Sequence, residues 1–132
     1  MRWSVLAVLL SLDAASAMVS RLVVSGAGAR NVNGIYSERP ADAVPACFAR
    51  TCMAMGWEPK VTWEELSAGG AWYEAPNKSY IYLHKDGRYW MDGPTGAGEY
   101  AAADDGAGVP AAGWEPLGGM EPMPTVAPAE DL

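Results

Sequence analysis

The chain has 132 residues, half of them hydrophobic, and a formal net charge of −7. That length holds one domain plus tails, with enough apolar material for a small core. Every Lys and Arg lies at or before Arg88, and beyond it the charged residues are carboxylates alone, from Asp92 to Asp131; such a surface repels phosphate backbones and argues against nucleic acid as a partner.

Residues 1–17 read as a secretory signal. Arg2 supplies a positive start, Trp3 to Leu12 an apolar run, and Ala15 to Ala17 the small-residue cleavage pattern. An uncleaved anchor is the alternative, but the run is well short of the roughly 20 residues that cross a bilayer, and Asp13 ends it. No later segment is apolar for long enough to span. The expected location is extracellular or within the secretory pathway.

Residues 18–30 form a linker or a short strand, with Ser20 to Gly26 as the strand candidate. A small β domain is expected over 31–117. Asn33-Gly34 is a turn dipeptide that leads into a strand at Ile35-Tyr36. Pro40 and Pro45 exclude a continuous helix between them, and the residues that follow predict a strand through Cys47 and Phe48. In a secreted chain Cys47 and Cys52 are disulfide candidates. Pairing needs a turn between them, because on a continuous helix they point to different sides. Two cysteines and the single His84 are too few for a metal site, and no motif calls for a cofactor.

Val61 to Gly70 carries a short helix signature, with Thr62 as N-cap, Glu65 completing a capping box and Gly69-Gly70 as the stop. Glu64 and Glu65 are the carboxylates nearest to an acid/base pair, but capping accounts for Glu65 and Glu64 would face solvent. Strands follow around Trp72 to Glu74, Ser79 to His84 and Arg88 to Asp92, separated by Pro76-Asn77 and Asp86-Gly87. Asn77 opens the only N-x-S/T sequon, in a turn that suits N-glycosylation. A last strand is expected at Tyr100. The Asp104–Gly108 loop lacks the alternating oxygen ligands of a calcium loop. Residues 118–132 read as a disordered, acidic, Pro-rich tail. "GWEP" occurs at Gly56 and again at Gly113 with unrelated flanks, as a coincidence or as two similar strand-exit turns.

The hairpin Tyr80 to Asp92 admits two registers. A two-residue Asp86-Gly87 turn puts Ile81 opposite Asp92 and mixes apolar with charged groups. A three-residue Lys85-Asp86-Gly87 loop, with Gly87 in the left-handed position of a bulge, puts Ile81, Leu83, Tyr89 and Met91 on one face. Tyr80, Tyr82, His84, Arg88, Trp90 and Asp92 then share the other. A one-residue slip inverts every side chain, so the cleanly sorted register is expected. The second face is either a platform for a ligand, with the tyrosines and Trp90 stacking and His84, Arg88 and Asp92 hydrogen-bonding, or a cross-strand aromatic pair covered by the middle of the chain.

Val32 to Tyr36, then a Pro-containing segment, then Tyr80 to Met91 and Val109 to Glu115 resemble in order a short all-β module that recurs in predicted algal and protist proteins, with skeleton V-N-G-x-Y … I-Y-x … G-x-W-x-I … P-P-x-G-W. Tyr89 and Met91 stand at the W-x-I positions. "VPACF" stands where that module has Pro-x-Tyr, and Thr51 to Pro76 is longer. The resemblance implies a small β fold and an accessory role, and it carries over no catalytic residue.

The expected fold is mostly β, a small antiparallel meander or partly closed barrel with one short helical turn. The expected function is a secreted, non-catalytic binding module whose ligand is a glycan or an extracellular protein. The competing readings are a wall or matrix protein with no specific ligand, and a small hydrolase using Glu64, Glu65 or Asp92 with His84.

Overall fold

The computed structural model describes residues 20–129. The signal segment, 1–17, lies outside them. Within them the chain forms eight strands: β1 (Arg21–Ser25), β2 (Gly34–Arg39), β3 (Trp72–Glu74), β4 (Tyr80–Leu83), β5 (Arg88–Asp92), β6 (Gly98–Ala103), β7 (Glu115–Pro116) and β8 (Thr125–Pro128). They make one antiparallel sheet in the order β7-β6-β5-β4-β3-β2-β1-β8, curled into a half-barrel. The first seven strands follow one another as a meander, and the last returns to the opposite edge to pair with β1. The partly closed β-barrel expected from the sequence is therefore the fold.

The segment between β7 and β8 straps the open side. The Gly28 amide donates to the Pro122 carbonyl at 2.8 Å, and the loop ahead of β7 joins in, its Ala111 carbonyl accepting from the Val126 amide of β8 at 2.9 Å. Tyr100 on β6 ties the two ends together, because its hydroxyl donates to the Met120 carbonyl at 2.6 Å and accepts from the Ala29 amide at 2.9 Å. Alternation along the strands gives the sheet two apolar faces. Val24, Tyr36, Ile81, Met91, Tyr100 and Val126, joined by Val32 and Trp114, fill the curl. Trp72, Tyr80 and Tyr82 point the other way and pack with Cys47 and Trp63.

Those last two residues come from a helical insert between β2 and β3: α1 (Ala46–Met55) and α2 (Pro59–Leu66). The insert corrects the expectation of a strand through Cys47 and Phe48. Pro45 is the residue before the first helical position, where a missing N–H costs nothing, and the Ala- and Met-rich stretch after it favours a helix. Gly56, left-handed at φ 78°, closes α1. α2 starts earlier than the capping-box pattern predicts. Glu58 is its N-cap, accepting from the Val61 amide at 2.7 Å, and Pro59 takes the first turn. Thr62 lies inside the helix, its hydroxyl donating to the Glu58 carbonyl at 2.7 Å.

The Cys47–Cys52 disulfide is also corrected. Both cysteines are on α1, buried and free. Five residues of helix turn their side chains about 140° apart, which is the helical case in which pairing fails. The expectation of a disordered tail over 118–132 fails at residues 125–128, which are β8 with Val126 buried in the curl, and residues 130–132 lie outside the described residues. A Pro-rich segment can serve here because proline is tolerated in an edge strand, where one side of the backbone needs no ladder bond. The two "GWEP" copies have different roles. The first is the corner between the helices, and the second leads from Gly113 through buried Trp114 into β7.

Candidate functional site

The hairpin adopts the three-residue loop. Tyr80 pairs with Asp92, Ile81 with Met91, Tyr82 with Trp90 and Leu83 with Tyr89. Gly87 is left-handed at φ 86°, and the His84 amide donates to the Arg88 carbonyl at 2.9 Å. Ile81 and Met91 enter the core within the curl, with Tyr89 packed against it.

The opposite face is not a free platform. Tyr80 is 1 % and Tyr82 3 % exposed. Trp63, from α2, is the lid, with its ring centroid 4.9 Å from Tyr82, 5.1 Å from Phe48 and 6.0 Å from Trp72. Burial raises both tyrosine hydroxyls well above their usual range, and the carboxyl of Asp92 adds to the effect. Neither ring can stack on a ligand, which overturns that part of the expected site.

His84, Arg88 and Trp90 are half-buried and engaged with one another. The His84 ring stacks on Trp90 at 4.8 Å, and the Arg88 guanidinium lies 5.4 Å from the Trp90 ring centre. Asp86 organises the tip by accepting from the Trp90 indole at 3.0 Å and from the Arg88 guanidinium at 3.1 Å. Its slight burial works the other way, but these bonds and the Arg88 amide hold its carboxyl below the usual range. Trp90 also lies against Gly98, where an added Cβ would meet the indole at 3.0 Å. Asp92, the last residue expected to bind, is buried beside Tyr80.

The acid/base candidates do not converge. Glu64 and Glu65 are exposed on α2. His84 and Asp92 stand at opposite ends of the hairpin, about 13 Å apart at roughly 3.3 Å per residue. Among the described residues no group of three or more His, Cys, Asp or Glu side chains is placed to hold a metal ion, and no helix is long and apolar enough to cross a membrane. Asn77 lies in an exposed turn, where its amide donates to the Asn31 carbonyl at 2.7 Å and its oxygen accepts from the Ser79 amide at 3.0 Å.

Two surface features were not anticipated. The first is the corner where α1 meets α2. Met53, Met55, Trp57 and Val61 are 66 %, 59 %, 51 % and 52 % exposed. The signal was present in Met53 to Val61, which carries more large apolar residues than one face of two short helices can bury. The second is an open cleft of about 600 Å³ lined by residues 28–31, Glu99, Gly118, Gly119 and Met120. Its walls are backbone in close approach. A side chain at Gly119 would collide with the Tyr100 ring, and one at Gly28 with the carbonyls of Met120 and Glu121.

The fold and these surfaces define a partly closed antiparallel β-barrel with a helical insert over an aromatic cluster, with four exposed apolar side chains at the tip of that insert and Met120 exposed at the cleft. No protein-family model matches the chain, and neither curated proteins nor solved structures provide a match.

Proposed function

We propose that the protein is a secreted, non-catalytic module that binds another protein through Met53, Met55, Trp57 and Val61. The observation that carries this reading is that four of the large apolar side chains exposed among the described residues fall in the short stretch from Met53 to Val61, where α1 meets α2, while Ile35, Leu117 and Met120 are scattered elsewhere. Contiguous exposed apolar residues on a monomeric domain mark contact surfaces. Methionine adapts to irregular partners, and tryptophan is enriched among the residues that dominate binding energy. The net charge of −7 disfavours an anionic bilayer as the occupant. The amino-terminal signal pattern supports an extracellular setting, and the resemblance to the algal module supports an accessory role.

The test places a photo-crosslinking phenylalanine derivative at Trp57 and, as a control, at Ala103, which is exposed on β6. Each version is irradiated in the extracellular fluid of the producing cells. The expected result is a discrete protein adduct from position 57 only, weakened by Met53→Ser together with Met55→Ser. An adduct of twice the chain mass identifies the partner as a second copy. Equal adducts from both positions, or none from position 57, overturn the reading.

A further inference from the structure

Asp92 ends β5 on the face covered by the insert. It is 5 % exposed, and its Oδ1 has no hydrogen-bond partner among the described residues. The Tyr80 hydroxyl, its cross-strand neighbour, hydrogen-bonds to the carboxyl. A carboxylate buried in this way is costly, whereas the neutral acid is far better tolerated. Apart from that one hydrogen bond, the groups that face it bring no positive charge to offset the cost. They are Tyr80 and Tyr82 on β4, Glu99 on β6, and Cys47 on α1, which bears on Tyr80. Arg30 lines the open cleft with Glu99 and does not contribute to the balance at Asp92.

The chain turns immediately after Asp92, and that turn is the seat of α1. The Gly93 amide donates to the Ala97 carbonyl and the Gly96 amide to that of Gly93, each at 2.9 Å. The Cys47 thiol donates to the Pro94 carbonyl at 2.7 Å. An added Cβ at Gly96 would lie 3.7 Å from Cys47 Cβ and 3.8 Å from Thr51 Oγ1, so α1 rests on this turn.

We propose that Asp92 is a proton-sensitive latch for the helical insert: neutral, it lets the 93–97 turn close against α1, and ionised, it draws water in and loosens that seam. Burial pushes the Asp92 carboxyl up to about 7 from 3.8. The Tyr80 hydrogen bond opposes the rise and the Glu99 charge adds to it. Because the folded value is the higher one, the stabilisation is fully present below about pH 4. It is lost as the pH rises through about 7, above which both states are ionised. The latch does not depend on what binds the exposed corner.

The test follows the thermal midpoint and amide hydrogen exchange from pH 4 to pH 8 in the full chain and in Asp92→Asn. The native midpoint is expected to fall by roughly 10 °C across the window, and the variant to lose most of that slope. Amides of α1 and the 93–97 turn are expected to lose protection before those of β1 and β2. Parallel pH profiles for the two proteins overturn the proposal, as does loss of protection spread evenly over sheet and helices. Should Asp92→Asn fail to fold, carbon-13 titration of the native carboxyl decides. A midpoint well above the ordinary carboxylate range supports the latch, and one near 4 overturns it.

Discussion

The two faces of the sheet are packed by different means. Inside the curl, strands cover strands. Val24 on β1, Ile81 on β4, Met91 on β5, Tyr100 on β6 and Val126 on β8 meet because the sheet bends round on itself. On the outside a half-barrel has no second sheet to meet, so Trp72, Tyr80 and Tyr82 depend on a helical insert and chiefly on Trp63. The inner face is secured by residues distributed over the chain, and the outer one is covered by a single insert, with Trp63 at its centre and Cys47 and Phe48 beside it. That asymmetry makes the insert the part of the molecule most open to change.

The largest expected effect tests this contrast directly. Trp63→Ala removes the ring that touches Phe48, Trp72 and Tyr82, and a buried aromatic truncated to alanine costs about 3–5 kcal/mol. Urea denaturation should show a loss of that size. Hydrogen exchange should show α1 and α2 opening first while the strands around Tyr36 and Ile81 stay protected. Equal loss of protection on both faces would mean that inside and outside fold as one cooperative unit.

A smaller effect probes the inner face. Tyr100→Phe keeps the ring and deletes the hydroxyl that donates to Met120 and accepts from Ala29. Leaving both backbone groups without their partner costs about 1–3 kcal/mol if water does not replace it. Equilibrium unfolding should register that cost with the insert's protection unchanged. Early loss of protection in α1 would show that the strap between β7 and β8 supports the outer face too.

Much of the inner face could be read from the residues. The alternation from Tyr80 to Asp92, with Gly87 free to take the left-handed position, specifies both register and loop length. Alternation also separates the two faces, but it is silent on what covers the second. That depends on how residues 40–71 fold, and there local signals compete. Pro40 and Pro45 bar a helix from running through them, but Pro45 stands where one can begin, so Cys47 and Phe48 are helical and not in a strand. Thr62 and Glu65 match a capping box, but Glu58 followed by Pro59 starts the helix first. β8 was illegible for a different reason. "TVAP" is too short for a pattern, and it becomes a strand only because β1 offers an unpaired edge. The ligand platform failed as an expectation because exposure is a property of the assembled fold, and Trp63 closes over Tyr82 from about twenty positions away in the chain.

The smallest expected effect separates the two ways in which the insert can be held. Glu58 caps α2 through a 2.7 Å bond from the Val61 amide, and its charge sits at the positive end of the helix. Substitution of an N-cap by alanine costs roughly 0.5–2 kcal/mol, and exposure of the Glu58 side chain places Glu58→Ala toward the low end of that range. Urea denaturation should find a loss several times smaller than that of Trp63→Ala, with faster exchange confined to the first turn of α2. Glu58→Asp, which keeps a carboxylate at the cap, should recover most of it. An alanine effect as large as that of Trp63→Ala would reverse the account of the outer face. The insert would then be held by the helix start at Glu58, and the aromatic cluster would pack onto a helix already in place.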